Sequence, residues 1–169
     1  TITPIKFNAS LHNLPDEAAR AGNDESVLLT ADSSLKQTRA DRDRGMQKWA
    51  FETPRKDIAD FLREQMLGNI SYALVGKLFS EDFKDQILAL NRIEDYLQLA
   101  SDDDTKAKFL ANTDLLLKYL TLRFFDTNTS VLIKSLELTE GIFRFMDSCN
   151  YRISEYEASC FLPFLISKV

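Results

Sequence analysis

Apolar residues recur every three or four positions along most of the chain after residue 50, a period typical of helices that bury one face. Four of them mark the face of the first such helix: Ile58, Phe61, Leu62 and Met66. We predict that Thr53 caps this helix, that Pro54 takes its first position and that Gly68 ends it. No stretch alternates between apolar and polar residues as a half-buried strand does, so the predicted class is all-α.

The same period predicts further helices downstream. A short helix spans residues 69–79, and either Ser80 or Asp82 caps the next one. The acidic run at 101–104 begins a long helix that reaches Phe125, because carboxylates stabilise the positive end of a helix dipole.

Two more helices are predicted after a polar break at residues 126–130. The first extends to about Met146, and its predicted inward face contains Leu132, Leu136, Thr139, Ile142, Phe143 and Met146. Ser154 and Glu157 have the spacing of a capping box, which predicts the start of the last helix.

The polar breaks between helices repeat along the chain. Aligning Leu78–Phe83 with Phe124–Thr129 superposes a helix end, a polar break and a helix start at an offset of 46 residues. HEAT and armadillo repeats have periods of about 40–47 residues and stack into solenoids. We therefore predict a HEAT-repeat α-solenoid of paired antiparallel helices, incomplete at its C-terminus. The breaks at 80–83 and 126–130 should then lie side by side along one edge.

The predicted organisation is a lead-in followed by one domain. Residues 1–35 show no sustained period and are interpreted as an extended lead-in or linker, with a short helix near residues 16–21. The apolar run Val27-Leu28-Leu29 could pack against the body. Residues 36–169 form the domain, with an N-terminal element at 46–67, repeat A at 69–100, repeat B at 102–147 and the start of repeat C at 153–169. The N-terminus carries no signal-peptide pattern. Since the chain does not begin with Met, we expect a fragment of a longer protein.

The net charge of −5 is unevenly distributed. Residues 36–56 carry a net charge of +4, because three acidic residues, Asp41, Asp43 and Glu52, partly offset seven basic ones: Lys36, Arg39, Arg42, Arg44, Lys48, Arg55 and Lys56. This stretch could contact an acidic surface. The interleaved Asp41 and Asp43 argue against nucleic acid, because tracking phosphates requires a denser basic cluster. Within the same region Met46, Trp49 and Phe51 are interpreted as packing anchors.

The residue types that catalysis and metal binding need are scarce. The chain has one histidine, His12, and two cysteines, Cys149 and Cys160, which we interpret as small, buried, reduced side chains. Its five glycines form no phosphate-binding loop, and the Asp102–Asp104 run fits helix capping better than cation binding. No stretch reaches the ~18 consecutive apolar residues of a membrane span. We predict a binding module, with no enzyme activity, no cofactor, no metal and no membrane partner.

One segment resembles a known family. Leu120–Leu136, LTLRFFDTNTSVLIKSL, is similar to part of a TOG domain, the tubulin-binding HEAT-repeat module of the Minispindles/ch-TOG microtubule polymerases. It most resembles the fifth TOG domain of those arrays. Lys48–Arg55 and Ser154–Val169 fit the same domain, so the resemblance covers roughly residues 36–169.

The resemblance implies a flat paddle whose intra-repeat loops form an edge that binds tubulin. Carried over to this sequence, the implied tubulin-binding residues are Asp82, Phe83, Lys84, Asp85, Asp126, Thr127, Asn128, Thr129, Ser130 and Lys134. Lys168 is a further charge of interest, and residues 49–67 match an extra repeat-like element that precedes the standard repeats. The implied protein is a monomeric module of a longer multi-TOG chain, located in the cytoplasm on microtubules, the spindle and the centrosome.

Two departures from the family pattern leave alternatives open. Many TOG domains have tryptophan in the first loop, where this chain has Phe83, which keeps the apolar bulk but lacks the indole N–H. Phe83 could also face the core. The chain also ends before the third loop of a complete TOG domain. The alternative function is a HEAT-type protein–protein scaffold that does not bind tubulin directly.

Overall fold

The all-α prediction is confirmed. A computed structural model describes residues 27–28, 31–46 and 48–168. Those ranges contain eight helices: α1 Ser33–Met46, α2 Lys56–Met66, α3 Tyr72–Leu78, α4 Phe83–Leu99, α5 Asp103–Ala111, α6 Thr113–Arg123, α7 Thr129–Ser148 and α8 Glu155–Lys168. The only β-type pairings within them are isolated bridges at Ile70, to Leu28 and to Leu67.

The helices stack as successive pairs. α3 packs on α4 across the first polar break, and α6 packs on α7 across the second. α4 and α7 lie side by side and run parallel, since Glu94 meets Lys134 and, further along both helices, Leu97 packs at Gly141. α6 also contacts α8, while α1 packs on α5 and α2 packs on α6. This stacking of helix pairs is the arrangement expected of a HEAT-type solenoid.

The centre of the core is α6. Every residue from Thr113 to Leu122 is buried, so this helix has no solvent-exposed face over that range. Apolar side chains from the surrounding helices cover it, and most lie at zero exposure, among them Ile58, Leu62, Leu74, Leu78, Leu90, Val131 and Phe161. A helix that other helices enclose on all sides can carry apolar residues on every face. This explains why the sequence of α6 shows no single apolar face.

Two helix boundaries differ from the prediction. The helix expected to run from residue 101 to Phe125 is two helices, because Asn112 leaves helical geometry (φ −118°, ψ 8°) and its side-chain amide donates to the Lys108 carbonyl at 2.8 Å. Asparagine side chains compete for backbone partners in this way. α2 begins at Lys56, not at Pro54, because the backbone is still extended at Arg55 (φ −119°, ψ 149°).

The inward face of α7 also differs from the prediction. Asp82 and Asn128 are both N-caps, which confirms the 46-residue offset for the helix starts. The buried faces, however, correspond at an offset of 45: Gln86, Leu90 and Ile93 match Val131, Ser135 and Leu138. Leu136, expected inside, is 42% exposed. α7 carries apolar residues on more than one face, so the period alone could not select the buried one.

Three local predictions are confirmed. Gly68 follows the last residues of α2 with φ +92°, a left-handed conformation that glycine adopts without steric cost. The Ser154–Glu157 capping box is reciprocal: the Glu157 amide donates to Ser154 Oγ at 3.1 Å, and the Ser154 amide donates to Glu157 Oε2 at 2.9 Å. Val27 and Leu28 are buried in the core. Leu29 and the expected helix near residues 16–21 lie outside the described residues.

The structure uses part of the basic stretch internally. Arg39 makes a bidentate pair with Asp114, with both N–O distances at 2.7 Å, and Lys36 Nζ lies 2.7 Å from Glu157 Oε1. Asp43, also on α1, pairs with the fully buried Lys118. Lys36 and Arg39 are therefore unavailable to an external acidic surface, contrary to the interpretation from charge. The three pairs instead fasten α1 to α6 and α8.

The domain boundary drawn at residue 35 stays a prediction. α1 begins at Ser33, and the ion pairs of Lys36, Arg39 and Asp43 make it part of the folded body. Residues 1–26 lie outside the part of the chain that the structure describes.

We expect the Asp43–Lys118 pair to be critical for stability. Lys118→Met leaves the buried Asp43 carboxylate without its cation and should lower the free energy of unfolding by about 3–5 kcal/mol in urea denaturation. The matched control is Arg44→Met, which breaks the exposed Arg44–Asp41 pair and should cost less than about 1 kcal/mol. Equal losses for both variants would contradict this assignment.

Glu157 should make stability depend on pH in the acid range. Burial alone raises the pKa of Glu157, but the Lys36 charge and hydrogen bonds from Lys36, Thr113 and Ser154 outweigh it, so its pKa lies below the usual value. A carboxyl with a lowered folded pKa adds stability above its unfolded pKa and loses it as pH falls through the folded pKa. Urea midpoints of the wild-type chain and Glu157→Gln should therefore converge as pH falls below about 4.5. A gap that is constant with pH would contradict the prediction.

Candidate protein-binding edge

The first loop is fixed by its own polar side chains. The Asp82 carboxylate caps α4 by accepting the Lys84 amide at 2.9 Å, which selects Asp82 over Ser80 as the cap. Ser80 Oγ accepts the Asp82 amide at 3.1 Å and donates to Asp85 Oδ2 at 2.9 Å. Gln86 then donates to the Ser80 carbonyl at 2.7 Å. These bonds hold the turn in one conformation.

Phe83 is the first residue of α4 and lies at the surface. Its side chain is 42% exposed, whereas Gln86 and Leu90, further along the helix, are buried. Phe83 therefore does not occupy the core, which was the alternative left open from the sequence. Glu81, Asp82 and Lys84 beside it are exposed, and Asp85 is half-buried.

The second loop has the same construction. The Asn128 side chain caps α7 by accepting the Val131 amide at 3.1 Å, and Asp126 Oδ1 accepts the Asn128 amide at 2.8 Å. Three small hydroxyl side chains remain exposed around this cap: Thr127, Thr129 and Ser130. Asp126 and Asn128 are half-buried, and their side chains accept hydrogen bonds from backbone amides of the turn and of α7.

A chain of side-chain contacts joins the two loops. The Tyr119 hydroxyl, from α6, donates to the Leu78 carbonyl at 2.5 Å, and its ring packs edge-on against Phe79 with centroids 5.5 Å apart. The Arg123 guanidinium lies 5.4 Å from the same ring and pairs with Asp126 at 3.2 Å. The two polar breaks therefore lie at the same edge, as the repeat predicted.

Tyr119 is suited to this bridging position. Burial raises the pKa of its hydroxyl well above the usual value, so the group stays protonated and keeps its donor hydrogen at any physiological pH. One helix, α6, thus holds the end of α3 and the start of the second loop at once.

Lys134 takes a different place from the one expected. Its ammonium pairs with Glu94 on α4, and Glu137 lies 3.8 Å away. The side chain is only 16% exposed. The structure therefore uses Lys134 to join α4 to α7, so it does not project from the edge. The side chain of Lys168 lies outside the described residues.

An aromatic cleft lies beside Trp49 and was not predicted from the sequence. Trp49 is buried and donates from Nε1 to Thr121 Oγ1 at 3.0 Å. The ring centroids of Phe51 and Phe164 lie 4.6 Å apart. Trp49 and Phe51 are therefore packing anchors, as predicted. Between this segment and α8 the structure leaves a cleft of about 710 Å³, with Lys48 and Glu52 among its lining residues. The side chain of Met46, the third expected anchor, is outside the described set. Only the aromatic content of residues 49–51 hinted at this feature.

Other chemistry is limited in the described part of the chain. Burial raises the pKa of the Cys160 thiol to about 11, which keeps it protonated and unreactive, and the half-buried Cys149 is also a free thiol. No group of His, Cys, Asp and Glu residues placed to hold a metal ion occurs among the described residues. Within the same ranges, every helix is too short or too polar to span a bilayer.

Comparisons with known proteins agree with this architecture. No family model matches the chain. Protein mini spindles of Drosophila melanogaster is 38% identical over 148 residues, which are 86% of this chain and 7% of that protein. Zygote defective protein 9 of Caenorhabditis elegans is 34% identical over 143 residues, which are 83% of this chain and 10% of that protein. The chain thus spans about a tenth or less of the length of these relatives.

Solved structures decide the family. The TOG domain of C. elegans Zyg9 superposes with a TM-score of 0.71 at 33% identity, covering 84% of this chain and 52% of that one. The chain belongs to the TOG-domain family. A second TOG structure, described by the words "TOG-tubulin binding specificity promotes microtubule dynamics and mitotic spindle formation", superposes with a TM-score of 0.76 at 37% identity and covers 85% of this chain and 57% of that one. The HEAT-repeat solenoid is therefore confirmed, while the position as a fifth TOG domain stays a prediction.

The side-chain caps at Asp82 and Asn128 should contribute more to the free energy of unfolding than the exposed Phe83 does. Asp82→Ala and Asn128→Ala each remove a side-chain acceptor from a helix N-terminus and should each lower the free energy of unfolding by about 1 kcal/mol. Phe83→Ala, at an exposed position, should change it by less than about 1 kcal/mol. Urea denaturation of the three variants measures this. A larger loss for Phe83→Ala than for the caps would show that Phe83 is a core residue.

Proposed function

We propose that the chain is a tubulin-binding module of a microtubule polymerase or stabiliser and that it binds tubulin through the two-loop edge. The main support is that the chain has a TOG fold and that Phe83 is exposed at an edge that the contacts of Tyr119 hold in place. The proposed contact residues are Asp82, Phe83, Lys84, Asp85, Asp126, Thr127, Asn128, Thr129 and Ser130.

The proposed mechanism is stoichiometric binding without turnover. Phe83 supplies an apolar anchor at the start of a rigid helix, and Thr127, Thr129 and Ser130 supply small hydroxyl groups that allow a close approach. In both loops, side chains already accept hydrogen bonds from the backbone amides of the turn. The loops therefore need little further ordering when a partner binds. Tethering to further TOG modules in one chain would raise the effective concentration of tubulin.

Shape, more than bulk charge, should provide specificity. The chain has a net charge of −5, and the first loop carries Glu81, Asp82 and Asp85 against Lys84 alone. Asp126 at the second loop is paired with Arg123. An edge of this composition offers no strong positive field to steer an acidic partner, so local contacts must carry the affinity. The proposed role for Lys134 is accordingly indirect, since it holds α7 against α4.

The remaining parts of the proposal follow from the family. We assign the chain to a longer multi-TOG protein as a monomeric module, with no nucleic-acid or membrane partner, in the cytoplasm on microtubules, the spindle and the centrosome. The names of the relatives support the spindle assignment, since one is called mini spindles and a related TOG structure is described with mitotic spindle formation.

One observation favours the alternative of a HEAT-type scaffold that does not bind tubulin directly. The cleft beside Trp49 has aromatic walls from Phe51, Phe125 and Phe164, which is the kind of surface that takes an apolar side chain of a peptide. A protein that bound partners only through this cleft would not need the edge.

Binding to tubulin separates the two functions. We expect Phe83→Glu and Thr127→Glu each to weaken co-migration with tubulin in size-exclusion chromatography, by about tenfold or more in affinity, because each buries a charge in the proposed contact. Thr127 is preferred to Asn128 because Asn128 caps α7. Leu99→Glu is the matched control, since Leu99 is 78% exposed at the opposite end of α4. Equal co-migration of all variants would rule out the edge.

A further inference from the structure

An exposed turn precedes α2. Residues 53–56 read Thr-Pro-Arg-Lys, and Glu52, Thr53, Pro54 and Arg55 are all exposed and outside any helix. Proline disfavours helical geometry at the residue before it, so Pro54 keeps Thr53 out of the helix. The backbone is still extended at Arg55, with φ −119° and ψ 149°. The Thr53 hydroxyl group therefore lies on a solvent-exposed bend that leads into an extended backbone at Arg55.

The two ends of this segment are held differently. Upstream, Trp49 and Phe51 are packed into the body, which presents the residues after them outward at a fixed place. Downstream, α2 begins at Lys56 without a side-chain cap at Arg55. A helix start that lacks a cap leaves its first amide groups to solvent, so its first turn opens more readily than the first turns of α4 and α7.

We propose that Thr53 is a phosphorylation site for a proline-directed protein kinase. Such kinases bind an extended substrate, require proline directly after the acceptor and favour a basic residue beyond it, which Pro54 and Lys56 supply. Thr53 Oγ1 forms the new bond to the γ-phosphorus of a nucleoside triphosphate, the bond to the bridging oxygen breaks, and the nucleoside diphosphate leaves. The hydroxyl proton passes to the catalytic aspartate of the kinase.

The modification changes the charge of the segment. Residues 52–57 are neutral, since Glu52 and Asp57 balance Arg55 and Lys56. A phosphate adds roughly −1.5 to −2 charges at pH 7 and three strong acceptor oxygens. It would compete with Asp57 for the Arg55 guanidinium, whose pair with Asp57 is exposed, with a distance of 3.1 Å. Because Glu52 lines the aromatic cleft, the phosphate would also make the cleft mouth less favourable to an anionic segment.

The chain contains its own comparison site. Of its four prolines, Pro4 and Pro54 directly follow a threonine, and each of these pairs has lysine three positions after the threonine. Thr3 lies outside the described residues. A kinase that recognises only this sequence pattern should phosphorylate Thr3 and Thr53 at similar rates. A difference between the two rates in one reaction would then reflect something other than the pattern.

The test is phosphorylation of the folded chain with ATP and a purified proline-directed kinase, with sites mapped by mass spectrometry. We expect phosphate on Thr53 in the wild-type chain and in Thr3→Ala, its loss in Thr53→Ala, and at least a tenfold slower reaction at Thr53 in Pro54→Ala. Circular dichroism should show that the Thr53→Ala and Pro54→Ala variants are folded, since Thr53 and Pro54 are exposed, and the same measurement checks Thr3→Ala. Phosphate at Thr53 only after urea unfolding, or at an unchanged rate in Pro54→Ala, would overturn the proposal. The outcome is independent of tubulin binding.

Discussion

The burial of α6 on all sides is the constraint on which the rest of the structure depends. A helix enclosed by other helices can be apolar throughout, but α6 also carries Asp114 and Lys118 at zero exposure. Charges without water require partners, because an unpaired buried charge costs several kcal/mol. Arg39 and Asp43 on α1 are those partners. α1 is therefore required by the chemistry of α6 and is not an optional addition to the fold.

The same helix positions the candidate binding edge. Tyr119 reaches the end of α3, and Arg123 reaches the second loop through Asp126. Residues one turn apart on α6 thus contact the residues just before the first loop and the second loop itself, so a shift of α6 would move both loops together. A rigid support of this kind reduces the entropy lost when a partner binds, which is one reason why we propose the two short turns as a single binding surface.

Local patterns predicted much of the fold because they depend on nearest neighbours. A cap, a capping box and a stop are decided within a few residues, and the structure confirms them at Asp82, Ser154 and Gly68. The predicted cap at Thr53 is wrong, because α2 begins only at Lys56. The 46-residue offset likewise predicted which loops share an edge. The break at Asn112 was not predicted, because asparagine also occurs inside helices. Its side-chain hydrogen bond to the Lys108 carbonyl is seen only in the fold.

The sequence by itself determined the helical class, the repeat, the positions of the two polar breaks and the resemblance to the TOG family. Only the tertiary structure decided which charges are free and which face of α7 is buried. Lys36 and Arg39 look like exposed basic residues along the chain, yet their partners, Glu157 and Asp114, lie far away in sequence. Lys134 meets Glu94 in the same way. Local periodicity carries no information about such distant pairs, because burial and ion pairing are properties of residues that only folding brings together.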